Sequence, residues 1–223
     1  MRPKRTRGLR RVLISAGPTR EPIDAARFLS NYSTGRMGAC LAAEALHRRC
    51  RVTVVSGPVS VAYPSRATVV RVERADEMAR ALRRYAVGAD AVIMAAAVAD
   101  FHPARRRPSK LPRQGQLLLR LTATPDIIGQ LPRRPGQVRV GFAVESSRVV
   151  QRAHEKLRRK HLDLLLAQRV SRAHAPFGTA PVRAWLLQRH GPVMPLGTVS
   201  KTAVARALLD KIEALWYGQP KIA

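Results

Sequence analysis

Short apolar runs alternate with helical patterns along most of this chain. The apolar runs predict strands at 11–15, 51–56, 68–72, 91–96, 117–121, 138–143 and 162–167. Helical patterns lie between several of them, at 37–48, 76–85, 125–131 and 149–160. Strands that alternate with helices form βαβ units, whose strands pair in parallel. We therefore expect an α/β fold in which helices flank a mostly parallel sheet.

Other segments complete the predicted organisation. Residues 1–10 are assigned to a basic N-terminal tail, and 11–217 to a single domain. Residues 101–115 carry prolines and basic side chains without periodicity, which predicts an exposed, flexible, basic lid loop. Towards the C-terminus, 182–188 and 192–196 predict a pair of strands, and 200–215 predict a closing helix.

The charge of the chain is extreme, with 41 Lys and Arg against 14 Asp and Glu and a formal net charge of +27. Such a balance favours nucleic acid, a membrane surface or a polyanionic substrate as a partner. Aromatic residues make up only 4%, so platforms on which nucleobases stack are scarce. Only seven of the basic residues are lysines, and each lysine is therefore of interest.

The sequence also bears on location and redox chemistry. It has no run of about 18 apolar residues that would span a membrane, and no hydrophobic signal segment. We expect a cytoplasmic protein without a membrane partner. Cys40 and Cys50 are the only cysteines, too few for a disulfide framework and without the spacing of a zinc site, so free thiols are expected.

A polar segment joins the first predicted strand to the helix predicted from residue 37. Its candidate ligand residues are Gly17, Thr19, Arg20, Ser33, Gly35 and Gly38. Backbone N–H groups and the helix dipole receive anions where a helix begins beyond the carboxyl end of a strand. The segment is interpreted as an enlarged phosphate-binding turn. The usual GxGxxG spacing is absent, however, and a plain strand-to-helix connection stays open as the alternative.

Further polar residues fall where a phosphorylated ligand could bind. Asp100 ends the small-residue run 95–99, against which a flat ligand could lie, or which could simply pack a helix on the sheet. Lys110 lies in the lid loop, from which its ammonium group could close over a triphosphate. Lys156 and Lys160 are one helical turn apart, and could grip phosphates together or form a solvated basic face.

A set of motifs resembles phosphopantothenate-cysteine ligase. They are the runs Gly17 to Asp24, Ser30 to Gly38, Val55 to Pro58, Ala95 to Asp100, Pro125 to Ile127 and Gly141 to Glu145, in the family's order. In many bacteria this ligase is the C-terminal half of a bifunctional flavoprotein of coenzyme A biosynthesis, whose other half is a decarboxylase. Because only a ten-residue basic tail precedes the first predicted strand, the chain resembles the ligase part alone.

The resemblance implies a Rossmann-like fold and a two-step ligation that uses CTP. The carboxylate of 4'-phosphopantothenate attacks the α-phosphate of Mg-CTP, which gives an acyl-cytidylate and pyrophosphate. The amine of L-cysteine then attacks the acyl carbon, CMP leaves, and an amide remains. Mg2+ is carried by CTP, no metal is held by the protein's own residues, and no flavin is expected. The resemblance also implies a homodimer whose partner helps to complete the site, and allows a separate decarboxylase as a partner.

Individual roles follow from the same motif matches. Asn31 and Lys110 would be the catalytic residues: Asn31 holds the acyl-cytidylate with an amide that donates and accepts, and Lys110 reaches the nucleotide phosphates. The matched CTP-binding positions are Met94, Ala95, Ala96, Asp100, Lys110, Pro125, Asp126, Ile127, Ile128, Phe142, Lys156 and Lys160. The turn residues of the polar segment are expected to contact phosphate or substrate.

Three departures from the family pattern stand out. Pro18 replaces a glycine and removes one N–H donor from the turn. The usual Lys-x-Lys-Lys of the lid keeps only its first lysine, Lys110. Gln168 stands where the family has asparagine, which moves an amide by one methylene.

Two other classes of function remain open from the residues. A Rossmann enzyme that uses NAD(P) or a nucleotide sugar would need a tighter glycine turn and a ribose-binding side chain after the second strand, where Ser56-Gly57-Pro58 stands. A basic nucleic-acid-binding protein would use the +27 surface, as a main role or as a weak accessory affinity.

Overall fold

A computed structural model describes residues 8–113, 115–171 and 175–218. The strands are β1 Arg11–Ala16, β2 Arg20–Pro22, β3 Phe28–Ser30, β4 Arg51–Ser56, β5 Thr68–Arg71, β6 Ala91–Met94, β7 Phe101–Pro103, β8 Leu121–Ala123, β9 Val138–Glu145, β10 Leu164–Arg169, β11 Val182–Gln188 and β12 Met194–Val199. The helices are α1 Arg36–His47, α2 Ala75–Ala86, α3 Ile127–Gln130, α4 Val149–Arg159 and α5 Lys201–Gly218.

Eight strands form the central sheet, in the order β12-β11-β10-β9-β6-β1-β4-β5. The six strands from β10 to β5 pair in parallel, β11 pairs antiparallel to β10, and β12 pairs antiparallel to β11. The chain winds outwards from β1 to β5 on one side and then returns to β6 on the other. The order therefore reverses between β1 and β6, and ligands of open α/β sheets bind beyond the carboxyl ends of strands at such a switch point.

Two apolar cores cover the two faces of this sheet. One core packs α1 and α5 against side chains such as Val12 and Ile14 of β1. The other packs α2, α3 and α4 against the opposite side chains, among them Leu13. Alternate residues of a strand point to opposite faces, so the continuous apolar run of β1 is what a strand covered on both sides needs. The predicted Rossmann-like sheet, with its C-terminal strand pair and closing helix, is confirmed.

The structure differs from the prediction in several short elements. Residues 117–121 were predicted as a strand, but β8 starts only at Leu121, and Leu118 is 96% exposed. The predicted lid loop begins with strand β7, which pairs with β8. The helix predicted at 125–131 is the single turn of α3, and β2 pairs with β3 in a hairpin that was not predicted. Leu9, predicted to lie in the tail, is buried in the core beside α1.

No described helix is both long enough and apolar enough to cross a membrane.

Candidate functional site

A cleft of about 500 Å³ opens beyond the carboxyl ends of β6, β9 and β10, beside the switch point. Most of the predicted site residues line it, namely Asn31, Ser33, Met94, Ala95, Ala96, Asp100, Pro125, Asp126, Ile127, Ile128, Phe142, Lys156 and Lys160. They come from elements far apart in the sequence, and the parallel sheet brings them together because the carboxyl ends of its strands share one edge. The remaining predicted residues, Gly17, Thr19, Arg20, Gly35, Gly38 and Lys110, do not line this cleft.

The floor of the cleft is a backbone ladder that continues the pairing of β1 with β6. The N–H groups of Ala95 and Ala96 donate to the backbone oxygen and hydroxyl of Ser15, at 3.2 Å each. The N–H of Ala97 donates to the carbonyl of Gly17 at 2.9 Å. Thr19 is fully buried, and its hydroxyl accepts from the N–H of Ala99 at 3.0 Å. Gly17 takes part in this ladder through its carbonyl and Thr19 through its hydroxyl. Their contact with phosphate or substrate stays a prediction.

Asn31 is fixed at the rim of the cleft by that floor. Its side-chain nitrogen donates to the carbonyls of Ala97 at 3.0 Å and Val98 at 3.2 Å. The amide was predicted to donate and accept at once towards a ligand. Because its donors are already used by the backbone, only the side-chain oxygen can contact a ligand without breaking these bonds.

Lys156 of α4 and Lys160, which caps the C-terminal end of that helix, form the cationic wall of the cleft. The Lys156 ammonium donates to the carbonyl of Phe142 at 2.7 Å, and the Lys160 ammonium lies 3.0 Å from a carboxylate oxygen of Asp126. Burial lowers the pKa of Lys156, and the positive charge of Lys160 lowers it further. A desolvated ammonium beside a second cation gains much from an anion that enters the cleft. The paired lysines are therefore placed to receive phosphate.

The lid loop holds Lys110 outside the cleft. Lys110 is exposed, and the backbone of the next residue, Leu111, is tethered. The N–H of Leu111 donates to Asp24 at 3.1 Å, and its carbonyl accepts from the Arg27 guanidinium at 3.0 Å. Arg27 and Asp24 also form an ion pair, which together with backbone donors holds the pKa of Asp24 well below its usual range. Leu111 thus joins the lid to the turn between β2 and β3, and the flexibility of the lid stays a prediction.

The segment that leads into α1 borders a second depression of about 920 Å³ as well as the cleft, which Met37 of α1 also lines. Arg20 and Ser33 line the depression, and Ser33 also borders the cleft. Gly35 caps the helix with a φ of 77°, a conformation that favours glycine. At Gly38 a Cβ atom would lie 2.3 Å from the Cβ of Ala16, so the missing side chain lets α1 approach the end of β1.

Several cleft residues were not predicted to belong to the site. Tyr32 and Phe177 line it, and their rings pack with centroids 5.9 Å apart. Thr124 also lines it, with a buried hydroxyl that has no hydrogen-bond partner among the described residues. Gln168, known from the sequence only as a departure from a motif, is 5% exposed at the end of β10. Phe177 had no signal in the sequence because it lies in a connection without periodicity.

The parallel sheet and the lysine-walled cleft at its switch point define a Rossmann-like α/β protein whose site suits an anionic ligand. A family model described as the DNA/pantothenate metabolism flavoprotein C-terminal domain matches residues 8–215, and the chain belongs to this family.

Named relatives agree with that assignment. The Coenzyme A biosynthesis bifunctional protein CoaBC of Bacillus subtilis (strain 168) is 39% identical over 207 residues, which cover 92% of this chain and 51% of that protein. A Cysteine/Cysteine sulfinic acid decarboxylase of an unknown prokaryotic organism is 38% identical over 210 residues, covering 92% and 58% respectively. The chain thus spans between half and three fifths of the length of these relatives.

One solved structure matches this chain over nearly the whole length of both proteins. The crystal structure of the C-terminal domain of Coenzyme A biosynthesis bifunctional protein CoaBC has a TM-score of 0.78 and 33% sequence identity, and the match covers 92% of this chain and 95% of that one. The part of the CoaBC proteins that corresponds to this chain is therefore their C-terminal domain.

Proposed function

We propose that the chain ligates 4'-phosphopantothenate to L-cysteine with CTP, and so makes 4'-phosphopantothenoylcysteine for coenzyme A biosynthesis. One observation carries the proposal: Asn31, Asp100, Phe142 and the lysine pair of α4, matched one by one to the ligase family, meet in a single cleft. The resemblance was read from motifs scattered over the chain. Their convergence at the switch point is what a shared ligand requires.

In this proposal the nucleotide lies across the carboxyl ends of β6 and β9. Phe142 and the backbone of 94–96 face the cytosine and ribose, and Lys156 and Lys160 neutralise the phosphates. Mg2+ enters with CTP as part of the substrate. The described residues gather no group of three or more His, Cys, Asp or Glu that could hold a metal, so phosphate oxygens and water are its expected ligands.

The chemistry needs no nucleophile from the protein. The substrate carboxylate attacks the α-phosphorus, the bond to the β-phosphate breaks, and pyrophosphate leaves. The cysteine amine then attacks the acyl carbon, loses a proton to solvent, and expels CMP. The side-chain oxygen of Asn31 is the atom available to accept a hydrogen bond from the incoming amine. Lys110 must leave its observed position to meet the phosphates, which is a lid movement of the kind that completes many sites.

We also propose that the protein is cytoplasmic and forms a homodimer, in which a second copy of the chain covers an exposed apolar surface. The β2–β3 hairpin contacts the β7–β8 ladder, and large apolar side chains are exposed on or beside both. They are Phe28, Tyr32, Phe101, Leu118 and Leu121. Exposed apolar groups concentrated on one region mark an interaction surface. Sedimentation of the wild type as a monomer at micromolar concentration would contradict this part of the proposal.

The reaction itself is tested with nucleotides in parallel. The purified chain is incubated with 4'-phosphopantothenate, L-cysteine and Mg2+, with CTP or ATP, and the products are followed by mass spectrometry. We expect phosphopantothenoylcysteine and CMP with CTP, and much slower turnover with ATP. Absence of product with both nucleotides would refute the proposed ligase activity.

A further inference from the structure

A separate cavity lies at the edge of the sheet opposite the cleft. It has a volume of about 470 Å³ and opens beside the amino ends of β1, β4 and β5. Since β1 has six residues, its amino end is about 17 Å from its carboxyl end. The cavity is therefore distinct from the cleft, and no step of the proposed reaction uses it.

Three arginines line this cavity from neighbouring segments of the sheet, and together they are called the arginine row. Arg11 begins β1 and Arg51 begins β4, and the two are direct partners in the parallel register. Thr53 of β4 is in turn the partner of Thr68 of β5. Arg66 precedes Thr68 by two residues and lines the same cavity. Three guanidinium groups are thus gathered around one concave surface.

The arginine row lacks the carboxylate partners that other arginines have. Arg48 forms ion pairs with three carboxylates, and Arg133 forms one. Over the described part of the chain, Arg11, Arg51 and Arg66 form no ion pair, and none of the described residues that line the cavity is acidic. Like charges on neighbouring strands destabilise one another. An anion that enters the cavity would relieve this repulsion.

A nearby carboxylate offsets only part of the charge. One oxygen of Asp90 accepts from the backbone N–H groups of Arg10 and Arg11, at 2.9 Å each. The Arg11 guanidinium makes one long contact, 3.5 Å to the carbonyl of Gly88. A single carboxylate leaves the row of three guanidinium groups with an excess of positive charge.

The rest of the lining is polar or aromatic. Thr53 and Thr68 contribute hydroxyl groups, which donate to anionic oxygens as readily as they accept. Tyr85, near the end of α2, forms a half-buried wall, and the Arg84 guanidinium lies 5.8 Å from the centroid of its ring. Arginines, hydroxyl groups and an aromatic side chain in one cavity suit a phosphorylated ligand.

We propose that the arginine row is a second anion site, which binds a ligand with adjacent phosphates, that is, a polyphosphate chain. Guanidinium groups pair with phosphate oxygens through two parallel hydrogen bonds. Neighbouring strands lie about 4.8 Å apart, so a row across three of them spans about 10 Å. A chain of phosphates can contact the whole row, whereas a single phosphate cannot.

Calorimetric titration with inorganic tripolyphosphate tests the site in a protein whose cleft lysines are replaced, Lys156→Gln with Lys160→Gln. We expect one molecule to bind per chain. Addition of Arg51→Gln or Arg66→Gln should raise the Kd about tenfold or more, because each removes a charged hydrogen-bond donor. Without ligand, these variants should melt no lower than their parent, since repulsion within the row decreases.

Arg183→Gln is the matched control. It removes an exposed arginine of β11, outside this cavity and the cleft, and lowers the net charge equally. Its Kd for tripolyphosphate should stay within about twofold of the parent value. In the wild type, tripolyphosphate should also protect Arg51 and Arg66, but not Arg183, from modification by phenylglyoxal, measured for each peptide by mass spectrometry.

The source of the phosphates is identified by titrating ATP, CTP and a single-stranded oligoribonucleotide into the same lysine variant. Tighter binding of a nucleotide than of tripolyphosphate assigns the site to a free nucleotide whose base contacts Tyr85. Tighter binding of the oligoribonucleotide, with a steep dependence on salt, assigns it to a nucleic-acid backbone. The proposal is overturned if tripolyphosphate does not bind the lysine variant, or if Arg183→Gln weakens binding as much as Arg51→Gln does.

Discussion

Gly38 offers a quantitative test of how closely α1 packs against the end of β1. A Cβ atom added there would lie 2.3 Å from the Cβ of Ala16, and the next nearest atom, the Ala16 Cα, would be 3.4 Å away. Carbon atoms pack at about 3.5–4.0 Å, so Gly38→Ala requires α1 and β1 to separate by about 1.2 Å or more. Overpacking of this kind costs about 1–3 kcal/mol. We expect the free energy of unfolding to fall by that amount.

Because a single atom of Ala16 causes the clash, a second substitution should relieve it. Ala16→Gly alone should cost about 1.5 kcal/mol, from a lost buried methyl group and greater backbone freedom in the unfolded chain. In the double variant the added Cβ meets only the Cα at position 16, at an ordinary contact distance. Since alanine is also favoured over glycine within a helix, we expect the double variant to be as stable as Ala16→Gly or up to about 1 kcal/mol more stable, a favourable coupling of about 1–4 kcal/mol.

Urea unfolding followed by circular dichroism measures all four proteins. Unchanged denaturant slopes would show that the variants share one native and one unfolded state. In a domain of this size, 1–3 kcal/mol corresponds to a melting temperature lower by about 2–12 °C for Gly38→Ala. Gly88→Ala, whose Cβ would lie 3.4 Å from its nearest neighbour, is the control and should be near neutral. Purely additive effects of the two substitutions would refute the close approach of α1 to β1.

Three further predictions concern the cleft and its lid. Lys110→Gln should slow pyrophosphate release with little change in the melting temperature. An unchanged rate of release would show that Lys110 has no catalytic role and that the lid only connects its neighbouring strands. Because the pKa of Lys156 is lowered, its ammonium loses its proton at a lower pH than a free lysine does. As the pH rises through that range, kcat/KM for CTP should fall. Lys156→Arg keeps its charge and should move this fall to higher pH, whereas identical profiles would contradict the role of Lys156. Asp24→Asn weakens the latch on Leu111 and should speed trypsin cleavage of the lid several-fold; Asp76→Asn, on the surface of α2, is the control, and equal rates in both variants would argue against the latch.

The long elements of the fold were predictable because each carries its own signal. The strands of the central sheet have four residues or more, most of them with short runs of apolar side chains, and helical patterns or turns separate them, so the βαβ alternation is predictable from the sequence. The strands β7 and β8 have three residues each, too few for any periodicity. Leu117 and Leu118 are exposed, but their apolar side chains gave the pattern of a buried strand. The sequence alone does not distinguish apolar residues on the surface from apolar residues in the core.

The site was predictable as a set of residues but not as a set of contacts. Asn31, Asp100, Phe142 and the lysine pair meet in one cleft, as the motifs implied. The use of the Asn31 donors by backbone carbonyls depends on tertiary structure, and no motif encodes it. The contacts of the lid loop likewise depend on tertiary structure.

The position of Lys110 depends on a long-range latch. The contacts of Leu111 with Asp24 and Arg27 join residues more than 80 positions apart in the chain. A local pattern contains no information about such a contact, which is why a flexible lid was the natural expectation. The structure shows the Leu111 contacts of the loop, and the movement of Lys110 towards the cleft stays a prediction.

The central claim is that this cleft forms an acyl-cytidylate, and its most direct test leaves out cysteine. The wild-type chain is mixed with 4'-phosphopantothenate and Mg-CTP, quenched within seconds, and examined by mass spectrometry with a parallel measurement of pyrophosphate. We predict pyrophosphate and a phosphopantothenoyl-cytidylate in equal amounts, and conversion of that adduct to product and CMP once cysteine is added. Absence of both adduct and pyrophosphate, or formation of product without any cytidylate on the way, would contradict the account.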